Sequence, residues 1–202
     1  AIPIKQFKRD NGLLLEKYFF IDKNFRIYER YKKANKRDAK NIENFKSLEN
    51  LKFIEYPKLG LEELKKIVKK VTILKGSILL IDYGYLKPNN QNTLQSIFKH
   101  KKNNIFKNLG DADITSHVNF KLIEEFLINN KLNVKNIITQ KEFLERMGIL
   151  NRAEIISKKM KFSEQSDLYL RLKRLLNPNL MGRLFKVILA FNHKTKDYFG
   201  FK

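Results

Sequence analysis

The chain has 202 residues, of which 43% are hydrophobic and 12% aromatic, so it can bury a core and is not disordered throughout. Cysteine is absent, which excludes disulfides, thiolate metal sites and a cysteine nucleophile. No apolar run reaches the roughly 20 residues of a membrane-spanning helix, and no signal peptide opens the sequence.

The net charge of +21 comes from 42 basic and 21 acidic residues. It has two interpretations. One is an anionic partner such as nucleic acid or a membrane surface. The other is compositional bias, because lysine, asparagine and isoleucine are all abundant and the lysines are spread along the chain. A weak, salt-sensitive attraction to polyanions follows from either.

The N-terminal third predicts β-structure. Ala1–Phe7 is typical of a strand end followed by a turn. Leu13–Phe20 and Phe25–Tyr31 are β-rich and separated by polar residues, which predicts a hairpin. Lys32–Asn50 is polar with little periodicity, which predicts a surface excursion.

The next segment predicts a βαβ unit. Leu51–Tyr56 is a strand candidate, and Leu61–Thr72 places its apolar residues on one helix face. Ser77–Tyr83 is a continuous apolar run, typical of a strand covered on both faces in a parallel sheet.

The remaining sequence alternates between helical and β-rich patterns and ends in a polar and aromatic tail after Phe191, which we expect to be frayed. Asn119 is a predicted N-cap, and Thr139 to Glu142 has the capping-box pattern. The predicted elements are an extended piece at Thr93–Phe98, helices at Asn119–Asn129, Thr139–Arg146, Asn151–Met160 and Glu164–Leu176, and strands at Leu132–Ile138 and Leu184–Phe191.

Two segments carry candidate chemistry. Asp82, Tyr83 and Gly84 end a predicted buried strand, where open α/β sheets bind ligands, and Gly84 permits a turn or a close approach. Ordinary turn residues are the alternative. Gly110–His117 groups carboxylates, hydroxyls and an imidazole, which suit a metal, a cationic substrate or simply a polar loop with a capped helix. His100 is a further candidate for proton transfer.

Six motifs follow one another along the chain: AIPIKQF (Ala1–Phe7), LLIDYGY (Leu79–Tyr85), TLQSIFKH (Thr93–His100), GDADITSHVNF (Gly110–Phe120), TQKEFLERMGI (Thr139–Ile149) and MGRLFKVILA (Met181–Ala190). Their order resembles that of the MidA-like methyltransferases, which include mitochondrial protein arginine methyltransferases that assist assembly of respiratory complex I. The resemblance covers most of the chain apart from Leu13–Asn50 and the tail.

The resemblance implies an α/β fold in which residues 1–202 form the C-terminal part of a Rossmann-like class I methyltransferase sheet, with a hairpin and polar insertion at residues 13–50 and with closing strands and substrate-side helices at residues 77–191. The chain has no G-x-G-x-x-G or P-loop motif. The family's glycine-rich loop belongs to its N-terminal half, so we expect the cofactor-binding residues upstream of Ala1 and expect this chain to be a fragment or a split gene product.

The resemblance also implies site residues. Asp113 and His117 are expected to orient the methyl acceptor as catalytic residues. Substrate-binding roles are expected for Asp82, Tyr83, Gly84, His100, Thr115 and Asn119. Asn119 stands where the family more often has Asp, and Lys101 stands where Arg is common, which keeps the charge but loses the bidentate fork.

The implied reaction is transfer of a methyl group from S-adenosylmethionine to a protein arginine, without a metal. The implied partners are a protein substrate such as a subunit of respiratory complex I, and either a second copy or a missing N-terminal half. The implied location is the cytoplasm in a bacterium and the mitochondrial matrix in a eukaryote. We expect the chain alone to be inactive and poorly soluble, because half a sheet leaves an edge and an apolar face uncovered.

Two other functions stay open at this point. The chain is alternatively a non-catalytic substrate-recognition subunit, which fits the missing glycine-rich loop. It is alternatively a basic nucleic-acid-binding domain, although it has no helix-turn-helix, zinc or RRM signature.

Overall fold

The computed structural model describes residues 2–193 and 198–201. The chain divides into two compact units. The first takes in the chain up to Ile67 and Lys87–His117, and the second takes in Val68–Leu86 and the chain from Val118 onward. Ala1, in the predicted strand end, and part of the predicted frayed tail lie outside the described residues.

Both units contain strands and helices. The strands are β1 (Lys5–Asp10), β2 (Leu13–Ile21), β3 (Ile27–Lys33), β4 (Phe53–Tyr56), β5 (Ser77–Tyr85), β6 (Gln95–Phe98), β7 (Lys101–Asn103), β8 (Asp113–Thr115), β9 (Val118–Asn119), β10 (Asn133–Val134), β11 (Ile138–Thr139) and β12 (Phe185–Phe191). The helices are α1 (Lys36–Glu43), α2 (Lys58–Ile73), α3 (Phe120–Asn129), α4 (Gln140–Arg146), α5 (Ile149–Ser157), α6 (Phe162–Leu176) and α7 (Met181–Leu184), with a short 3-10 helix at Lys46–Leu48.

The first unit is built on an antiparallel sheet in the order β3-β2-β1-β4. The predicted β2–β3 hairpin is confirmed. The turn predicted to follow Phe7 is wrong, because β1 continues to Asp10 and turns at Asn11 and Gly12, whose φ angles are 45° and 76°. An Asn-Gly pair is typical of a tight hairpin turn, so this signal was present in the sequence.

The predicted surface excursion at Lys32–Asn50 is also wrong, because this segment contains α1 and the 3-10 helix and contributes to the core. Ile42, Phe45, Leu48 and Leu51 are all buried. These residues are three positions apart, so they lie on one side of the chain as it runs through α1 and the 3-10 helix. That side is apolar although the segment is rich in lysine.

A second, three-stranded sheet of the first unit has the order β7-β6-β8 and is antiparallel. Its central strand β6 confirms the extended piece predicted at Thr93–Phe98. Strand β8 lies within Gly110–His117, so part of the predicted polar loop is held in a fixed register against β6.

The second unit is built around β12, whose residues from Lys186 to Ala190 are all buried. β12 pairs antiparallel with β5 on one side and with β10 and β11 on the other. The predicted antiparallel closing pair is therefore confirmed, with the strand predicted at Leu132–Ile138 divided into two short pieces.

The predicted βαβ unit is wrong in its pairing, although its helix and both strands form. β4 pairs antiparallel with β1, whereas β5 pairs with β12, so the two strands belong to different sheets. The expectation that β5 is covered on both faces is also wrong, since Leu79 and Ile81 are each 45% exposed. A local pattern predicts a strand but does not predict its partner.

The predicted helices of the second unit are confirmed as α3, α4, α5 and α6, and α7 is an additional short turn of helix. The capping box forms as predicted. The Thr139 N–H donates to Glu142 Oε2 at 2.7 Å, and the Glu142 N–H donates to Thr139 Oγ1 at 3.2 Å. Among the described residues, no helix combines the length and the apolar character needed to cross a membrane.

Candidate functional site

Asp82 and Tyr83 lie near the end of β5 in the second unit. The Asp82 side chain is exposed, and its Oδ1 accepts a hydrogen bond from the Tyr83 N–H at 2.8 Å. The Tyr83 ring packs edge-on against Phe185, with 5.6 Å between centroids. β12 thus holds the Tyr83 ring, while the Asp82 carboxylate keeps an oxygen available to solvent.

Gly84 is buried, and the atoms that approach it most closely belong to Val118 and Phe120 of this chain. A Cβ at this position would lie 2.1 Å from the Val118 carbonyl oxygen and 3.0 Å from the Phe120 ring. The missing side chain therefore lets β9 pair in parallel with β5. The structure gives Gly84 a packing role, and its contact with a substrate stays a prediction.

Asn119 confirms its prediction as an N-cap. Its side chain is buried, and its Oδ1 accepts a hydrogen bond from the Leu122 N–H at 3.1 Å, at the start of α3. Asp is equally suited to this position, so the departure from the family pattern leaves the cap intact. The oxygen that would meet a substrate is already used inside the protein.

The first unit holds Asp113, Thr115 and His117 on or just after β8. Asp113 is exposed and lies opposite Ile97 of β6, and Thr115 lies opposite Gln95. Residues two apart on a strand point to the same face, so β8 presents the Asp113 and Thr115 side chains together. The His117 N–H donates to Thr93 Oγ1 at 2.9 Å, which anchors the backbone where β8 ends.

His100 lies in the tight turn that joins β6 to β7. Lys99 and His100 have φ angles of 49° and 62°, and both are exposed. This backbone is typical of a hairpin turn. The structure places His100 at the turn rather than on the strand that carries Asp113 and Thr115.

A cavity of about 490 Å³ lies in the first unit, against β1, β2 and the β8 region. Thr115 is the predicted site residue that lines it. The complete lining is Ile2, Pro3, Ile4, Lys5, Gln6, Glu16, Lys17, Tyr18, Phe19, Leu94, Ile114, Thr115 and Ser116.

Gln6 is the residue of this lining with unused hydrogen-bonding capacity. Its Nε2 donates to Glu55 Oε1 at 2.9 Å and to Asn92 Oδ1 at 2.8 Å, which fixes the orientation of the amide. Its Oε1 is buried and meets no donor within the described part of the chain. An unsatisfied buried acceptor is costly, and less than 1 Å² of this oxygen is accessible, so the cost falls on folding and the atom offers no open contact to a ligand.

A buried ion cluster, formed by Lys5, Glu16, Asp38 and Lys58, lies beside this cavity. Lys5 Nζ is 2.8 Å from Glu16 and 2.9 Å from Asp38, and Lys58 Nζ is 2.7 Å from Asp38. The Asp38 side chain is 0% exposed. Sequence reasoning missed this cluster. The local signal that was present is Asn35 three residues before Asp38, a spacing typical of a helix N-cap, and Asn35 caps α1.

Burial and charge act in opposite directions in the buried ion cluster. Burial raises the pKa of the Asp38 carboxyl, but hydrogen bonds from Lys58, Lys5 and Asn35 outweigh it and hold the pKa at about 2. Burial lowers the pKa of Lys5, but Glu16 and Asp38 outweigh it and raise the pKa overall. Burial, reinforced by Asp38 and Glu62, raises the pKa of Tyr56 to about 12. Asp38 and Lys5 therefore stay charged at neutral pH.

Lys186 is a second polar residue that sequence reasoning missed. It is buried on β12 opposite Asp82, and its Nζ donates to the backbone carbonyls of Arg183 and Leu184. Burial, with a smaller effect of Arg183, lowers the pKa of its ammonium group. Its bonds satisfy carbonyls at the end of α7, which is a structural role.

Among the described residues, the clustering of possible ligands bears on a metal site, and the surroundings of the glycines bear on a glycine-rich loop. No group of three or more histidine, aspartate or glutamate side chains there could hold a metal ion, which removes the support for a metal at Gly110–His117. Gly84 and Gly182 each pack against a backbone carbonyl. Turns with positive φ use Gly12, Gly110, Gly148 and Gly200. These six glycines therefore have packing or turn roles in the structure.

The mixed α/β units and the strands paired around β12 form a Rossmann-like class I methyltransferase fold. The model of the Methyltransf_28 family, a family of S-adenosyl-L-methionine-dependent methyltransferases, matches residues 1–138. This match covers more than half of the chain, so the chain belongs to that family.

Curated relatives agree with the family assignment. The chain is 27% identical over 124 residues to the protein arginine methyltransferase NDUFAF7, mitochondrial, of Xenopus tropicalis, which covers 61% of this chain and 28% of the relative. It is 27% identical over 135 residues to the protein arginine methyltransferase NDUFAF7 homolog, mitochondrial, of Caenorhabditis elegans. That match covers 67% of this chain and 31% of the relative. The matches therefore span less than a third of either relative.

Solved structures show the same fold. An uncharacterized COG1565 superfamily protein from Burkholderia thailandensis matches with a TM-score of 0.77 at 19% identity, over 99% of this chain and 53% of that one. A COG1565 superfamily member from the same organism, bound to S-adenosyl-homocysteine, matches with a TM-score of 0.76 at 19% identity, over 100% and 51%.

Proposed function

We propose that this chain is the acceptor-side part of an S-adenosylmethionine-dependent methyltransferase that acts on a protein arginine. Membership of the family supports the reaction class. The names of the NDUFAF7 relatives support a protein arginine as the acceptor and, where the source is eukaryotic, a mitochondrial location. A subunit of respiratory complex I is one acceptor consistent with this proposal.

The observation that carries the proposal is the cavity of the first unit. A guanidinium is planar, always charged and rich in N–H donors. The Tyr18 ring supplies an aromatic wall on which a guanidinium can stack. The charged residues of the lining are Lys5, Glu16 and Lys17, and Glu16 is paired with Lys5, so the cavity would select a guanidinium by its planar shape and not by net charge.

Asp113 and His117 are proposed to orient the acceptor beside this cavity. β8 presents Asp113 on the same face as Thr115, which lines the cavity. An exposed carboxylate can bind a guanidinium through paired hydrogen bonds and accept its proton. Substrate-binding roles for Asp82, Tyr83, Gly84 and Asn119, in the second unit, and for His100 remain predictions.

Asp113→Ala, in an enzyme that joins this chain to a cofactor-binding portion, tests the role of Asp113. We expect methyl transfer to fall at least about tenfold while S-adenosyl-homocysteine still binds, since a positioned proton acceptor contributes about 10²–10⁴ in rate. Asp111→Ala is the matched control, because it removes an exposed carboxylate two residues away. Equal turnover in both variants would reject the role.

The cofactor-binding residues are proposed to lie outside these 202 residues, since six of the described glycines have packing or turn roles. Titration of S-adenosyl-homocysteine into the chain, followed by calorimetry, is expected to give no binding heat. Micromolar affinity for the isolated chain would contradict this part of the proposal.

The open edge of β5 is the proposed junction with the cofactor-binding portion. Within the described residues, β5 pairs with β12 on one side, and on the other side it pairs with β9 only at Gly84 and Tyr85. Leu79 and Ile81 on this strand are each 45% exposed. A free strand edge with apolar side chains favours association.

Light scattering tests this junction. We expect the wild-type chain to self-associate and the Leu79→Lys variant to self-associate less. A monodisperse wild-type monomer would contradict this junction.

A further inference from the structure

The β2–β3 hairpin presents an aromatic–cation face, formed by Tyr18, Phe20, Tyr28, Arg30 and Lys32. In the antiparallel register Tyr18 lies opposite Arg30, Phe20 lies opposite Tyr28, and Glu16 lies opposite Lys32. Directly opposed residues point to the same side of a sheet. The five side chains therefore form one continuous surface along the ribbon.

The rings and cations of this face alternate. The Phe20 and Tyr28 rings are stacked with 5.9 Å between centroids, and Tyr18 lies 6.4 Å from Phe20. The Arg30 guanidinium lies 5.7 Å from the Phe20 centroid and 5.0 Å from that of Tyr28. Lys32 Nζ lies 4.8 Å from Phe20 and 5.5 Å from Tyr18.

This face is open to solvent. Tyr18 and Tyr28 are 39% and 36% exposed, and Arg30 and Lys32 are also exposed. In the described part of the chain, the carboxylate on this side is Glu16, which is buried and paired with Lys5, and neither Arg30 nor Lys32 forms an ion pair. The face therefore combines exposed rings with positive charge that no carboxylate neutralises.

The opposite face of the same hairpin has an ion pair, and one of its rings packs against a residue outside the hairpin. Its Glu29 pairs with Lys17 at 2.7 Å, which neutralises charge. The Phe19 ring there packs edge-on against Phe106, with 5.1 Å between centroids, so one of its edges is already covered. That face also exposes the Tyr31 ring, but among the described residues Lys33 is its one lysine outside an ion pair, whereas the aromatic–cation face has both Arg30 and Lys32.

We propose that the aromatic–cation face binds single-stranded nucleic acid. Bases can stack on the exposed rings, and Arg30 and Lys32 can meet the phosphates, since a row of rings beside cations is the arrangement that unpaired strands use. An acidic peptide would use the cations but would leave the rings without a partner. The net charge of +21 favours the same class of ligand. Tyr18 is the one residue of this face that also lines the cavity, and the variants below leave it unchanged.

Fluorescence anisotropy with short labelled oligo(U) and oligo(dT) tests the proposal on the full chain, and comparison of the two distinguishes RNA from DNA. We expect Phe20→Leu combined with Tyr28→Leu to weaken binding at least about tenfold, because two stacking rings are lost while the charge is kept. Arg30→Gln combined with Lys32→Gln is expected to reduce the slope of log affinity against log salt by about 1.4, since each lost phosphate contact contributes about 0.7.

Tyr31→Leu combined with Lys33→Gln is the matched control, because it removes one ring and one cation from the opposite face of β3. We expect affinity within about twofold of the wild type. Circular dichroism of each variant checks that the hairpin region still folds. The proposal is overturned if the ring variant and the control bind equally well, or if poly-glutamate or an abasic strand competes as effectively as oligo(U).

Discussion

The buried ion cluster and the segment from Asp113 to His117 place charge in opposite environments. Asp38 is 0% exposed and held by Lys5 and Lys58, whereas Asp113 is exposed on β8. The sequence draws attention to the second region, which groups acids, hydroxyls and a histidine, and not to the first. The difference shows that a dense polar motif in the sequence indicates charged side chains that solvent can reach. A buried charge is harder to recognise, because its partners are distant in sequence.

The largest expected effect is on Asp38. Asp38→Ala leaves Lys5 and Lys58 without their shared partner, and removing one member of a buried ion pair costs about 3–5 kcal/mol. We expect the free energy of unfolding in urea to fall by that amount. Asp113→Ala is the control, and an equal loss in both variants would remove the distinction between the two regions.

Acid is expected to weaken the same cluster. The folded-state pKa of Asp38 is about 2, below its ordinary value of 3.8. The resulting stabilisation, about 2 kcal/mol, is present in full above pH ~5 and is lost as the pH falls through about 4 to about 2. Urea unfolding of wild type and Asp38→Asn across this range should converge at low pH. Parallel curves would contradict the assignment.

We expect an intermediate loss of unfolding free energy at Asn119. This residue follows the exposed segment from Asp113 to His117 but is itself buried. Asn119→Ala removes the acceptor for the Leu122 N–H and should cost about 1 kcal/mol of unfolding free energy. Asn119→Asp keeps the cap and should restore most of this loss. If neither variant changes stability, the cap does not contribute as the geometry indicates.

The smallest expected effect on stability is at Asp113. Its side chain is exposed, and exposed substitutions away from special features usually change stability by less than about 0.5 kcal/mol. Thermal melts of Asp113→Ala and wild type should therefore overlap, while methyl transfer by the joined enzyme falls. A large loss of stability in Asp113→Ala would show that this carboxylate is structural.

Local elements were predictable where the signal is contained in neighbouring residues. The β2–β3 hairpin, the helix α2 and the capping box at Thr139 follow from alternation, from a helical apolar face and from short-range hydrogen bonds. The excursion at Lys32–Asn50 was misread because its apolar residues are sparse among lysines, even though their spacing of three was visible.

The candidate site was predictable only in part. Short motifs draw attention to Asp82, Tyr83 and Asp113, and the roles of these residues stay predictions. The cavity and its buried Gln6 Oε1 were not found, because they depend on β1, β2 and the β8 region coming together.

The sequence by itself determined the type of most elements, the lack of cysteine chemistry and, through the order of its motifs, the family. Tertiary structure decided the partners of the strands, with β4 paired to β1 and β5 to β12, and it decided which charges are buried. The physical reason is range. Helix capping and side-chain alternation act over a few residues, whereas the pairing of Lys5 with Asp38 joins residues 33 positions apart that only the fold brings within 2.9 Å.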